Sequence, residues 1–172
     1  MSLNKLFSLL ASLAFLFVIS SRTIIAADQS YPITVNYDMT VEELAANGNY
    51  NWVNKDISSR NFQTLRSGTV DVLVELVHLS RVASTSEVLK ELDSQGYRPA
   101  EFYELLTFGI KYSGVTSFAI VALGSVWIED SYSSGYSTYI TSDGMGKRFL
   151  NLYRLDDIWS RGFRFLAVRK PS

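Results

Sequence analysis

The stretch "TSFAIVALGSVWIED" (116–130) is apolar at almost every position from Phe118 to Ile128. A strand with one face in water alternates apolar and polar residues, so an unbroken apolar run of this length reads as a strand buried on both faces. Gly124 interrupts the run, where a β-bulge or the close approach of another backbone is expected. The rest of the fold has to cover this strand.

The segments before it supply helices and further strands. "YPITVNYD" (31–38) alternates Ile33, Val35 and Tyr37 on one side, the period of a strand. "TVEELAANG" places Thr40 as an N-cap, Glu43 three residues on and Gly48 after the last turn, the signature of a short helix with a capping box. In the loop that follows, Trp52 and Ile57 are expected to pin the chain to the core. "GTVDVLVELVHLS" (68–80) is a strong strand, with Val70, Val72, Val74 and Leu76 on one face and Asp71, Leu73, Glu75 and Val77 mixed on the other. "STSEVLKELDSQG" (84–96) repeats the capping logic with Ser84 and Glu87, carries Val88, Leu89 and Leu92 as its apolar stripe, and stops at Gly96. Pro99 holds Arg98 extended, and a further helix is expected from Ala100 to Phe108, ended by Gly109. Beyond the long apolar run come "KRFLNLYRL", with Phe149, Asn151 and Tyr153 opposed to Leu150 and Leu152, and "FRFLAVR", with Phe163, Phe165 and Ala167 on one side. Trp127 and Trp159 read as core. The order predicts an α+β domain: an antiparallel sheet carrying two or three short helices.

The first 27 residues stand apart. Lys5 precedes an apolar run from Leu6 to Ile19, and small residues end the segment, the n-region, h-region and cleavage site of a secretory signal cut after Ala27. The run is shorter than the roughly twenty residues that span a bilayer as a helix. Segment 28–172 is then a single exported domain, secreted or periplasmic, with no stable membrane span after cleavage. Cleavage removes Lys5 and Arg22 and leaves 14 basic against 17 acidic residues. That balance argues against nucleic acid as a partner. The chain has no cysteine, so core packing alone must hold it and thiol chemistry is excluded.

Catalytic constellations are missing from the pattern. His78 is the single histidine, at the end of a strand, and no GxSxG nucleophile accompanies it. One histidine and no cysteine exclude ordinary zinc sites, and no GxGxxG or P-loop supports a nucleotide cofactor. No cofactor is expected. The unusual feature is "SYSSGYSTY" (131–139), in which Tyr132, Tyr136 and Tyr139 alternate with serine, threonine and glycine. Large amphipathic rings on small polar spacers make a protein-contact or sugar-stacking surface. Cross-strand aromatic pairing in a plain hairpin explains the same composition. The candidate ligand-binding residues are Tyr132, Tyr136 and Tyr139, with Asp143 of the adjoining turn and Arg161 of the terminal segment.

"VNYDMTVEELAANGNYNWVNKDIS", "EVLKELDSQGYRPAEFYELLTFG", "AIVALGSVW" and the terminal "FRFLAVRK" resemble, in motif and order, an uncharacterised family of small bacterial and phage proteins. The GYRPA corner, the tryptophan-bearing strand, the irregular hairpin, the SDG turn and the last strand are also similar to the C-type-lectin-like fold, which includes sulfatase-modifying domains and phage receptor-binding proteins. That likeness implies a ligand face over 131–157. The calcium-binding triplets and catalytic cysteines of those groups are absent, so it implies a non-catalytic scaffold. The expected function is an exported binding domain for a protein or glycan. The alternatives are an envelope enzyme using His78 with a nearby acid, and an enzyme accessory or inhibitor of the immunity type.

Overall fold

The computed structural model describes residues 29–115, 117–129 and 134–171. Segment 1–27 and Tyr132 lie outside them. Three helices, α1 (Val41–Asn47), α2 (Thr85–Ser94) and α3 (Phe102–Lys111), accompany one sheet. Its strands are β1 (Ser30–Asn36), β2 (Trp52–Val53), β3 (Thr69–Val77), β4 (Tyr97–Pro99), β5 (Ala119–Ile128), β6 (Gly135–Ser142), β7 (Arg148–Arg154) and β8 (Phe163–Arg169). The spatial order is β1-β3-β8-β5-β6-β7-β2, with β4 also pairing to β8. The domain is α+β, as expected from the order of patterns. The sheet is mixed rather than antiparallel throughout: β5 runs parallel to β8, and β2 parallel to β7.

The last strand owes its central place to its side chains. Phe165, Leu166 and Ala167 are all buried, so β8 must be covered on both faces, and it lies between β3 and β5. The same holds for the first half of β5, from Ile120 to Leu123. Along β5 the contacts alternate. Ile120 and Ala122 join a core with α1 and α3, while Val121 and Leu123 join a second core with Val88 and Leu92 of α2. Helices therefore cover both faces of the sheet, α1 and α3 on one and α2 on the other.

Both helix starts read from the sequence form as capping boxes. Thr40 and Glu43 close α1, and Ser84 and Glu87 close α2. Gly96 follows α2 with a φ of 80°, a left-handed position that ends the helix without strain. Three local expectations are corrected. Helix α3 continues through Gly109 to Lys111, because its buried face against β1 and β6 extends that far. Trp52 is 48% exposed rather than core, whereas Ile57 is buried. Trp127 is only half-buried, since β5 leaves the covered part of the sheet after Leu123.

The open edge at β1 is protected by its own chemistry. Pro32 has no N–H to offer, and its carbonyl accepts from Lys111 Nζ at 2.7 Å and Tyr112 Oη at 2.9 Å. Proline and lysine on an edge strand discourage pairing with another chain.

Candidate functional site

The pleat of β6 separates the tyrosines that the sequence groups together. Tyr136 and Tyr139 are three residues apart on one continuous strand, so they point to opposite faces. Tyr136 lies against Trp127 with ring centroids 5.4 Å apart, across from Arg154. Tyr139 lies on the α2 side, in edge contact with Tyr153 at 6.1 Å and Phe163 at 6.0 Å. Asp143 is exposed in the β6–β7 turn, where its Oδ1 accepts from the amides of Met145 at 2.8 Å and Lys147 at 3.1 Å. Those bonds make it a turn former. Arg161 is exposed, and its carbonyl accepts from His78 and Arg164. Tyr136, Tyr139, Asp143 and Arg161 do not converge on one point.

One face of the hairpin does form a surface. Register pairs Ser137 with Tyr153, Tyr139 with Asn151 and Thr141 with Phe149, and the parallel pairing of β2 places Trp52 beside Phe149. All seven side chains therefore share a sheet face. None of them is charged. Tyr139 and Tyr153 lean on the core beneath α2, where Tyr153 Oη donates to the Ile158 carbonyl at 3.2 Å and burial raises the Tyr139 phenol above its ordinary value. Phe149 and Trp52 extend the row outward, past both cores. Phe149, Asn151 and Tyr153 are legible on one face from their alternation. Trp52 is not, because its neighbour is set by a pairing between residues far apart in the chain.

A second feature is a cleft of about 610 Å³ between the loop 60–66, the start of α3 and the strand β5, lined among others by Arg60, Leu65, Arg66, Glu101, Tyr103 and Val126. Arg66 pairs with Glu101 at 2.9 Å and donates to Tyr37 Oη at 3.2 Å. Behind them Glu104 is fully buried. It accepts from Arg98 at 2.7 and 2.9 Å and from the Glu101 amide at 2.7 Å. Such a carboxylate tolerates burial because three donors replace its water. Burial, reinforced by the Glu104 charge, pushes the Tyr37 phenol up to about 12.

A third buried polar group lies at the other end of α3. Arg148 donates to the carbonyls of Gly48 at 2.6 Å and Gly109 at 2.7 Å, with its guanidinium 4.7 Å over the Tyr50 ring. Burial takes the Tyr50 phenol to about 12, although the Arg148 charge pulls it back. Both tyrosines have a folded-state value above the ordinary one near 10. Their neutral form therefore adds stability below pH 10, and this is lost as pH rises through about 12. The gap corresponds to roughly 3 kcal/mol for the deeply buried Tyr50 phenol and to less for Tyr37, whose Oη accepts from the partly exposed Arg66 and is screened by solvent. Absorbance at 295 nm is expected to show a late class of tyrosines ionising together with unfolding near pH 12. All ten tyrosines titrating near pH 10 in the folded protein would contradict it.

His78 is exposed, and its Nε2 sits 3.1 Å from the Arg161 carbonyl, with no carboxylate bonded to the ring among the described residues. Among the described residues no three His, Cys, Asp or Glu side chains gather in a metal-binding group, and no helix is long and apolar enough to cross a membrane. No family model, no curated protein and no solved structure matches this chain.

Proposed function

We propose that this protein is an exported, non-enzymatic recognition domain that binds neutral glycans on the aromatic face of β6, β7 and β2. The observation that carries the reading is the row Trp52, Phe149, Tyr139 and Tyr153, interleaved with Thr141 and Asn151 and free of charge; Ser137 on the same face is buried, its hydroxyl donating to the Ala122 carbonyl at 3.0 Å. Sugar rings present apolar C–H faces that stack on aromatic plates, and hydroxyls that need amide and hydroxyl partners. A surface for acidic peptides, nucleic acid or anionic lipid would carry lysine or arginine instead. Neighbouring strands lie about 4.8 Å apart, so a sugar chain crossing from β7 to β2 meets Phe149 and Trp52 in succession. All of these residues except Trp52 also fall within the span that the lectin-like resemblance gives to ligands. Export is supported by the charge and hydropathy pattern of the first 27 residues.

An array of neutral and acidic oligosaccharides probed with the protein tests this. Neutral glycans are expected to bind, with Trp52→Ala weakening them about tenfold, the equivalent of about 1.4 kcal/mol. Tyr136→Ser, on the opposite face, is expected to leave binding unchanged. Retention confined to acidic glycans, equal loss in both variants, or no retained glycan would overturn the reading.

A further inference from the structure

The sheet is interrupted where β5 passes the cleft. The pairing of β5 with β6 runs from Ile120 to Ala122, breaks, and resumes at Trp127 opposite Tyr136. On its other edge β5 pairs with β8 only from Ala119 to Val121. The next contact on that edge is the Gly124 amide, which donates to the Ala100 carbonyl at 2.8 Å. Among the described residues no strand follows beyond it. Gly124 points its N–H away from β6; the register irregularity between Ala122 and Trp127 interrupts the alternation, so the direction at Val126 and Ile128 follows from the pairing that resumes at Trp127. The Leu155 amide donates to the Gly135 carbonyl at 2.9 Å, so Gly135 spends its main-chain groups on β7. Its partner Ile128 is then left facing outward.

The side chains around this open edge are of two kinds. Val126 and Ile128 are 45% and 64% exposed on the face opposite Trp127, and Leu65, on the facing loop, is entirely exposed. Arg60 lines the same cleft and makes no ion pair among the described residues, whereas Arg66 beside it is held by Glu101. Unlike β1, this edge carries no proline and no lysine across its carbonyls.

From this juxtaposition we infer that the open edge of β5 at Val126–Ile128 is a docking site for an extended peptide segment. The peptide adds as a strand, sets apolar side chains at alternate positions against Val126, Ile128 and Leu65, and places a carboxylate on Arg60. Main-chain groups of Val126 and Ile128 supply the ladder bonds, cross-strand apolar pairs extend the Val126–Ile128 face, and the guanidinium of Arg60 fixes direction by gripping the acid. The site is separate from the aromatic face and stands or falls independently of glycan binding.

A random twelve-residue peptide library displayed on phage, panned over the full-length protein, tests the inference. Enriched peptides are expected to alternate apolar residues and to carry an aspartate or glutamate. Their binding should fall at least tenfold in Arg60→Glu and in Val126→Pro, which removes an outward N–H that the sheet does not use, and should persist in Met145→Ser at the distant turn. Amide exchange gives a reading that needs no variant to fold: the Val126 and Ile128 amides should exchange at least tenfold faster than that of Trp127 in the free protein, and slow when peptide is added. Peptides that bind both variants as well as wild type would overturn the proposal. So would an absence of enriched peptides, or a Val126 amide already protected in the free protein.

Discussion

Replacing Arg148 by alanine is expected to destabilise the domain by about 3–5 kcal/mol, a fall in melting temperature of roughly 10 °C or more. Arg148 is 8% exposed, and no carboxylate is paired with it among the described residues. Its partners are the carbonyl that follows α1, at Gly48, and the carbonyl of Gly109 within α3. Alanine leaves both oxygens buried without a donor, a cost of about 1–3 kcal/mol each, and empties the space over the Tyr50 ring. The Tyr50 hydroxyl has no hydrogen-bond partner among the described residues, and the Arg148 charge holds its ionisation down, so removing the cation should push it higher still. Arg154→Ala is the control. That arginine makes a 2.6 Å ion pair with Asp156 at the surface, and its loss should cost less than about 1 kcal/mol. Thermal or urea unfolding of the two variants decides the point. Equal, small effects would show that water replaces the Arg148 donors without cost.

The second large effect is expected at Gly124. A Cβ there would lie 2.6 Å from the Ala100 carbonyl oxygen and 2.8 Å from both the Ala100 carbon and the Pro99 oxygen. These are main-chain atoms, which cannot rotate away as a side chain would. Gly124→Ala must therefore push β5 from the corner that leads into α3, lengthening the Gly124–Ala100 bond and disturbing the Ser125 Oγ that accepts the Phe102 amide at 2.9 Å. A loss of about 1–3 kcal/mol is expected, with faster exchange of the Phe102 amide. Gly114→Ala makes the comparison, since a Cβ at that position meets nothing within 4 Å. It should be neutral or slightly stabilising, because alanine narrows the unfolded ensemble. Matching melting temperatures for the two variants would sink the close-approach account.

Much of this local structure is legible in the sequence. The capping boxes at Thr40 and Ser84 involve residues three apart, and their geometry needs nothing from the rest of the chain. Gly124 stands out because a strand this apolar has no reason to contain glycine unless another backbone comes near. The division of the tyrosines is also written in their spacing. Tyr136 and Tyr139 differ by an odd number and cannot share a face, so composition alone misleads where the period of two is decisive. Glu75, Glu104 and Arg148 are different. As isolated letters they read as surface charge, and each is buried by partners 22 to 100 residues away or by the packing of α3.

Local pattern is enough for the elements: capped helices, strands by alternation, one strand so apolar that both its faces had to be covered, and an interior held without cysteine. Which strands meet is settled by long-range packing. Insertion of β8 between β3 and β5, the parallel approach of β2 to β7 that brings Trp52 to Phe149, and the early end of pairing along β5 depend on contacts between distant segments. Hydrogen-bonding groups of one strand are chemically the same as those of any other, so no local pattern specifies its partner. Partner choice comes from burying both faces of the sheet at once, a property of the whole chain.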